Sequence, residues 1–213
     1  MSRLVASILA LSVLSALVAC VAAPSAPPAP VPPASTAQTV YDALTAPIHA
    51  RLYLCQGARA YNTGPVGYDG ALVDYAPAVA TPAGALLKNP TDSACLSSGY
   101  GFRGTASGGD SEHLGLDLAN RHGGFVYAGG PGRVVSAGWK GTYGLMVEID
   151  HGSGVLSRYG HLREINPRFV LGAQVPAGAA LGRMGDTGNA SGVHLHYEIL
   201  IGGRHVNPLG PTG

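Results

Sequence analysis

The chain carries little charge of either sign: 13 Lys or Arg and 12 Asp or Glu in 213 residues, for a formal net charge of +1. A protein that neutralises phosphates needs a basic patch, so this balance argues against nucleic-acid binding. Helical periodicity is also missing, since no stretch holds an apolar repeat of 3.6 for more than about ten residues. Cysteine is scarce, with three residues at 20, 55 and 95. Glycine and proline are plentiful, 32 and 16 respectively, too many for a helical bundle. They indicate a turn-rich β protein, with some chain left over for a loose linker.

The one long apolar run stands at the start, in "MSRLVASILALSVLSALVAC". An early arginine, an apolar stretch and a small-residue approach to Cys20 read as a secretory signal, and the run is short for a hydrocarbon layer of about 30 Å. "LVAC" resembles the lipobox of bacterial lipoproteins, which implies cleavage after residue 19 and acylation of Cys20; a plain signal peptide that happens to contain a cysteine is the alternative. Residues 20–45 then form a Pro/Ala/Ser-rich, nearly uncharged tether that cannot bury enough apolar surface to fold. At about 3.1 Å per residue it would reach up to ~60 Å from a membrane. In an exported chain Cys55 and Cys95 are expected to form a disulfide, which would anchor the weakly patterned segment 46–95. That segment's role is not legible.

From residue 96 onward the pattern changes to short β-branched or aromatic runs between glycine-rich turns. "FVYA" (125–128), "RVVSAGW" (133–139), "LMVEID" (145–150), "VLSRYGHL" (155–162), "AALGRMG" (179–185) and "HLHYEILI" (194–201) are the expected strands. "HGSG" at 151–154 predicts a hairpin. The fold class is all-β, mainly antiparallel, over a folded domain of residues 96–210.

Three segments concentrate the reactive side chains: "HLGLD" with His113 and Asp117, "SRYGHL" with His161, and "VHLHYE" with His194 and His196. Four imidazoles and a carboxylate can supply a catalytic zinc site, which uses three N or O ligands and keeps one position open. In a strand His194, His196 and Glu198 share one face. Glu198 either orients an imidazole from behind or is an ordinary solvent-facing glutamate. Four residues of straight strand span about 13 Å, too far for His113 and Asp117 to meet one ion, so the chain there must bend or be helical. Gly115 permits a bend. His49, His122, His151 and His205 lack partners at ligand spacing.

The region 98–208 resembles the lysostaphin-type (LytM-like) zinc metallopeptidases that hydrolyse bacterial cell walls. The resemblance rests on "SGYGFR" leading to "HLGLDLA", on "VYAGGPGRVVSAGWKGTYGLMVEIDHGSGVLSRYGHL", and on "VPAGAALGRMGDTGNASGVHLHYEILIGGRHVNP". Both family signatures, H-x-x-x-D and H-x-H, are intact. The resemblance implies a groove holding one Zn2+ per chain, bound by His113, Asp117 and His196, with His161 and His194 unligated beside it as catalytic groups. Such an ion polarises a scissile carbonyl and acidifies water, and a neutral imidazole can carry the proton to the leaving amine.

The implied substrate is the peptide part of peptidoglycan, with the D-alanyl to diaminopimelate cross-link as the expected bond and a glycine bridge as the variant. Arg103, just before the loop "GTASGGDSE" (104–112), and Glu112, its last residue, are candidate substrate contacts. Tyr159, two residues before His161, would share its face in a regular strand and is a candidate oxyanion donor. The expected location is the periplasmic side of a membrane, lipid-anchored through Cys20. Val21 stands where an aspartate is associated with inner-membrane retention, which favours the outer membrane. The rival reading is a catalytically silent binding module that activates a separate amidase, as in family members that have lost their ligands. A structural lipoprotein with closed four-ligand coordination is the third.

Overall fold

Most of the strands expected from alternation are present in the computed structural model, which describes residues 45–59, 62–102 and 112–210. The signal segment 1–19, Cys20, the linker as far as residue 44, Arg103 and the loop 104–111 lie outside the described residues. Contacts divide the chain into units 1–33 and 34–213, and every described residue belongs to the second.

In chain order the strands are β1 (Leu54–Arg59), β2 (Ala78–Thr81), β3 (Gly84–Leu87), β4 (Cys95–Ser98), β5 (Gly101–Phe102), β6 (Glu112–His113), β7 (Leu116–Ala119) and β8 (Phe125–Tyr127). They continue with β9 (Gly132–Trp139), β10 (Leu145–Gly152), β11 (Val155–Ile165), β12 (Gln174–Val175), β13 (Ala180–Met184), β14 (His194–Ile201) and β15 (Arg204–Val206). A 3-10 turn, Gly141–Tyr143, joins β9 to β10, and there is no α-helix among the described residues. The main sheet runs β1-β4-β7-β14-β11-β10-β9-β12, with β13 on β11, β8 on β13 and β15 on β14. Its pairs are antiparallel apart from β1 with β4.

The hairpin expected at 151–154 closes on Ser153 and Gly154, both at positive φ (52° and 73°). Two left-handed central residues match the right-handed twist of the flanking strands. One face of the sheet is dry: Leu116, Leu118, Val147, Ile149, Val155, Leu162, Leu195, Tyr197 and Ile199 are all fully buried. Each such aliphatic side chain contributes ~1.5–3 kcal/mol through burial. The period of 2 then sends Asp117, His194 and His196 to the opposite face, on the adjacent strands β7 and β14, with His196 directly across from Asp117.

The segment before residue 96, unread in the sequence, packs into this same core through Leu52, Leu72 and Leu86. It adds β1 as an edge strand and is stapled there by a Cys55–Cys95 disulfide spanning 40 residues. Cys95 faces Ala119 across the β4–β7 pair, so the staple lies on the strand next to the one bearing Asp117. Closing a loop of this length removes denatured-state freedom worth ~4 kcal/mol. A Cys55→Ser, Cys95→Ser double variant should therefore unfold at a Tm lower by roughly 10 °C, read by calorimetry. An unchanged Tm would show that the edge strand holds without its staple.

Candidate metal centre

Between His113 and Asp117 the chain bends, as the ligand spacing required. β6 ends at His113, Gly115 makes a bend, and β7 starts at Leu116. A glycine is needed there because of close approach: a Cβ on residue 115 would sit 2.4 Å from the Tyr197 carbonyl oxygen and 3.0 Å from Glu198 Cγ. The bend brings His113 Nε2 to 3.0 Å from Asp117 Oδ1 and 3.2 Å from His196 Nδ1, and the last two atoms are 2.9 Å apart. Three donors held at about 2.0–2.1 Å around a tetrahedral zinc ion lie about 3.3 Å from one another. The observed triangle is close to that, and its atoms are the N and O types zinc prefers, so the residues present fit the ion.

Each imidazole is turned by a partner on its far nitrogen. His113 Nδ1 donates to the Gly99 carbonyl at 2.6 Å, His161 Nδ1 to the Thr187 carbonyl at 2.8 Å, and His194 Nδ1 to the Gly192 carbonyl at 2.8 Å. A carbonyl can only accept, so Nε2 of each ring keeps its lone pair toward the cleft. His196 is reversed: its Nε2 donates to Glu198 Oε1 at 3.0 Å and its Nδ1 faces the triangle. His161 and His194 stand beside the triangle with ring centroids 4.7 Å apart, and His194 Nε2 is 3.6 Å from Asp117 Oδ1. The structure thus brings together His113, Asp117, His161, His194 and His196 in a cleft of about 540 Å3, also lined by Glu112, Thr142, Tyr143, Asn189 and Ser191.

Charge follows from this packing. Burial would raise the Asp117 pKa, but hydrogen bonds and charge from His113 and His196 hold it well below the usual carboxylate range. Burial likewise opposes a charged His196, yet Asp117 on one side and Glu198 on the other raise it to about 9. A metal ion and a proton compete for the same Nδ1 lone pair. Burial lowers the His161 pKa, partly offset by the Thr187 carbonyl, which favours a neutral ring.

Tyr159 is a correction. It is fully buried, its hydroxyl accepts from the Gly129 amide at 2.8 Å and meets Ser157 Oγ at 2.9 Å, and its ring lies 5.3 Å from Tyr197 in the core. It cannot reach the cleft. The shared face with His161 presumed strict alternation, which a bulge breaks: Val147 pairs with Tyr159, whereas Leu145 pairs with Leu162, so an extra residue enters β11 between them. His161 takes up the irregularity at φ 61°, a strained value for a non-glycine residue, and is re-aimed from the core side into the cleft.

Three contributors escaped the sequence reading. Thr187 accepts from His161 with its carbonyl, while its Oγ1 donates to the Leu162 carbonyl and accepts from the Leu145 amide. Tyr143 donates to Glu198 Oε1 at 2.8 Å, and Arg158 bonds both Glu198 and Glu148. Glu148, Arg158 and Glu198 are register partners on three adjacent strands, a row of charges in a chain only 12% charged. That row was the available signal.

A β-sheet bearing a two-histidine, one-aspartate cluster with two further imidazoles beside it has the donor set of a metal-binding protein. Residues 111–208 match Peptidase family M23, and the chain belongs to that family. Among its relatives, it is 34% identical over 127 residues to the peptidoglycan DD-endopeptidase ShyC of Vibrio cholerae, covering 58% of this chain and 29% of that one. It is 41% identical over 96 residues to lipoprotein NlpD of Yersinia enterocolitica, covering 44% of this chain and 94% of that sequence. The NlpD of Salmonella dublin, 38% identical over 110 residues (50% of this chain, 27% of that one), is named a murein hydrolase activator. Among solved structures, a zinc containing peptidase from Vibrio cholerae is similar with a TM-score of 0.54 at 27% identity, over 62% of this chain and 45% of that one. The chain spans 22 to 29% of the length of the first curated relatives it matches.

Proposed function

We propose that this chain is a zinc endopeptidase that hydrolyses the peptide cross-links of bacterial peptidoglycan. The observation that carries the reading is the donor triangle of His113, Asp117 and His196, facing a cleft in which two more imidazoles keep free Nε2 lone pairs. Zinc bound there would supply Lewis acidity toward a scissile carbonyl and would acidify water. The chain's own groups do the rest. His161, favoured neutral by burial and held at Nδ1 by Thr187, accepts a proton at Nε2 and returns one to the leaving amine. His194, beside it, shares this proton traffic, and whichever ring is protonated faces the developing oxyanion. Thr142, Asn189 and Ser191 offer hydrogen bonds to an extended peptide, and Glu112 a charge for an amine-bearing one.

The D-alanyl to diaminopimelate bond, hence D,D-endopeptidase action, is supported by the activity named for the Vibrio cholerae relative. Digestion of purified peptidoglycan with the chain should convert cross-linked muropeptides to monomers, read by mass spectrometry, and a chelator should stop it. The activator reading is favoured by relatives that are named murein hydrolase activators, the Salmonella dublin one among them. It predicts no released peptides and a faster separate amidase when the chain is added.

The cell-envelope location rests on "LVAC" and on the lipoprotein named among the relatives. On this reading Cys20 carries the lipid, the chain faces the periplasm, and Val21 favours the outer membrane. Cys20→Ser should abolish incorporation of labelled fatty acid; label retained in that variant would place the anchor elsewhere.

A further inference from the structure

Glu198 is fully buried on a strand whose neighbouring positions feed the cleft, and its carboxylate is saturated. Oε1 accepts from His196 Nε2 at 3.0 Å and from the Tyr143 hydroxyl at 2.8 Å. Oε2 accepts from an Arg158 guanidinium nitrogen at 3.2 Å and from His205 Nε2 at 3.1 Å. A carboxylate has about four lone-pair sites, so these donors use all of them and leave it no free rotation. Arg158 is itself held from the other side by Glu148. Neither His205 nor Arg158 reaches the donor triangle, yet both end on the group that grips its third imidazole.

We infer that Glu198 is a positioning residue for the metal site: it fixes the ring angle of His196 and places the proton on Nε2, so that Nδ1 is left facing Asp117 and His113. The inference rests on the zinc reading above and extends it to a residue outside the ligand set. A histidine ligand without such a partner can rotate about its two side-chain torsions and exchange tautomers, and either motion removes the third donor. Tyr143 shares the oxygen that holds His196, and its ring centroid is 5.8 Å from that of His196. The wall of the cleft is therefore tied to the ligand by one atom.

Glutamine at 198 keeps the volume but not the bonding. In either orientation its amide turns two N–H groups toward donors that meet a carboxylate oxygen in the wild type: Arg158 and His205, or His196 and Tyr143. The test is zinc titration of the chain by competition with a coloured chelator, joined to 15N imidazole shifts of His196 in the zinc-loaded protein, which report ligation at Nδ1 with the proton on Nε2. Glu198→Gln should weaken zinc binding about 10- to 100-fold and lose the Nε2–H signature. His205→Asn, which removes one distant donor, should stay within about threefold of wild type, within the usual spread for a single peripheral bond.

Zinc affinity within threefold in Glu198→Gln, with the His196 tautomer unchanged, would overturn the inference. An equal loss in His205→Asn would also overturn it, because the whole network rather than the His196 contact would then be at work. Should Glu198→Gln not fold, Glu198→Asp decides the matter: it keeps the charge but draws the carboxylate back by one methylene from His196 Nε2, so zinc should bind several-fold more weakly, and unaltered binding would count against the role. A wild-type chain that binds no zinc at all would instead sink the proposed function, an outcome these variants do not mimic.

Discussion

Asp117→Asn should lose zinc and with it all release of peptides from peptidoglycan. Asp117 Oδ1 is the one anionic atom in the triangle, 3.0 Å from His113 Nε2 and 2.9 Å from His196 Nδ1. The amide is neutral, and in one of its two orientations it turns an N–H toward the ion. Even partners behind the ligands are worth 10- to 100-fold in metal affinity, so removing the charged ligand itself should cost at least ~100-fold. The effect is readable without any assay of hydrolysis. Zinc at a thousand times its dissociation constant stabilises a folded site by about 4 kcal/mol, so wild type should show a rise in Tm on adding zinc that the variant lacks. A variant that still takes one zinc ion per chain and still digests peptidoglycan would show that the cluster is not the metal centre.

His161→Ala and His194→Ala should keep the metal and lose turnover. Their Nδ1 atoms are spent on the Thr187 and Gly192 carbonyls, and their Nε2 atoms stand outside the three-donor set. Positioned proton transfer contributes typically 10^2–10^4-fold, and a fall of about that size in kcat with zinc content unchanged is the expected result. If the two rings serve one proton path, the double variant should be little worse than the poorer single one, since groups acting as a unit are not additive. Loss of zinc in His161→Ala would mean that the third imidazole has been assigned to the wrong strand. The backbone makes this variant informative in a second way. Residue 161 sits at φ 61°, so the strain is carried by the bulge whatever the side chain, and folding should change little while catalysis collapses.

Legibility in the sequence followed the range of the interactions involved. The strands carrying His161, His194 and His196 could be read because alternation is a local property of the chain. The disulfide could be read because an exported chain with two cysteines left over has few other uses for them. The bend at Gly115 followed from reach alone, although its reason, the Tyr197 carbonyl 2.4 Å from where a Cβ would stand, belongs to a strand some eighty residues away. Tyr159 was misplaced by the same rule that placed His194 and His196. Period 2 holds in β14, where each residue from 194 to 197 pairs in register with β7, and fails in β11, where one extra residue is accommodated. Glu198 could be put on the site face but not valued, because its worth lies in four donors drawn from four separate segments.

What the sequence determined by itself was the inventory and the parity of one strand: which residues are available to bind a cation, and that His194, His196 and Glu198 leave the apolar side of their strand together. The tertiary structure decided which nitrogen of each ring is free, that His161 joins them despite its position in the alternation, and that a buried glutamate stands behind the third ring. For His113 and His161 those choices are made by carbonyls far along the chain, at Gly99 and Thr187, and for His196 by a carboxylate that distant donors hold in place. No local pattern encodes them, because they come into existence only when the sheet closes.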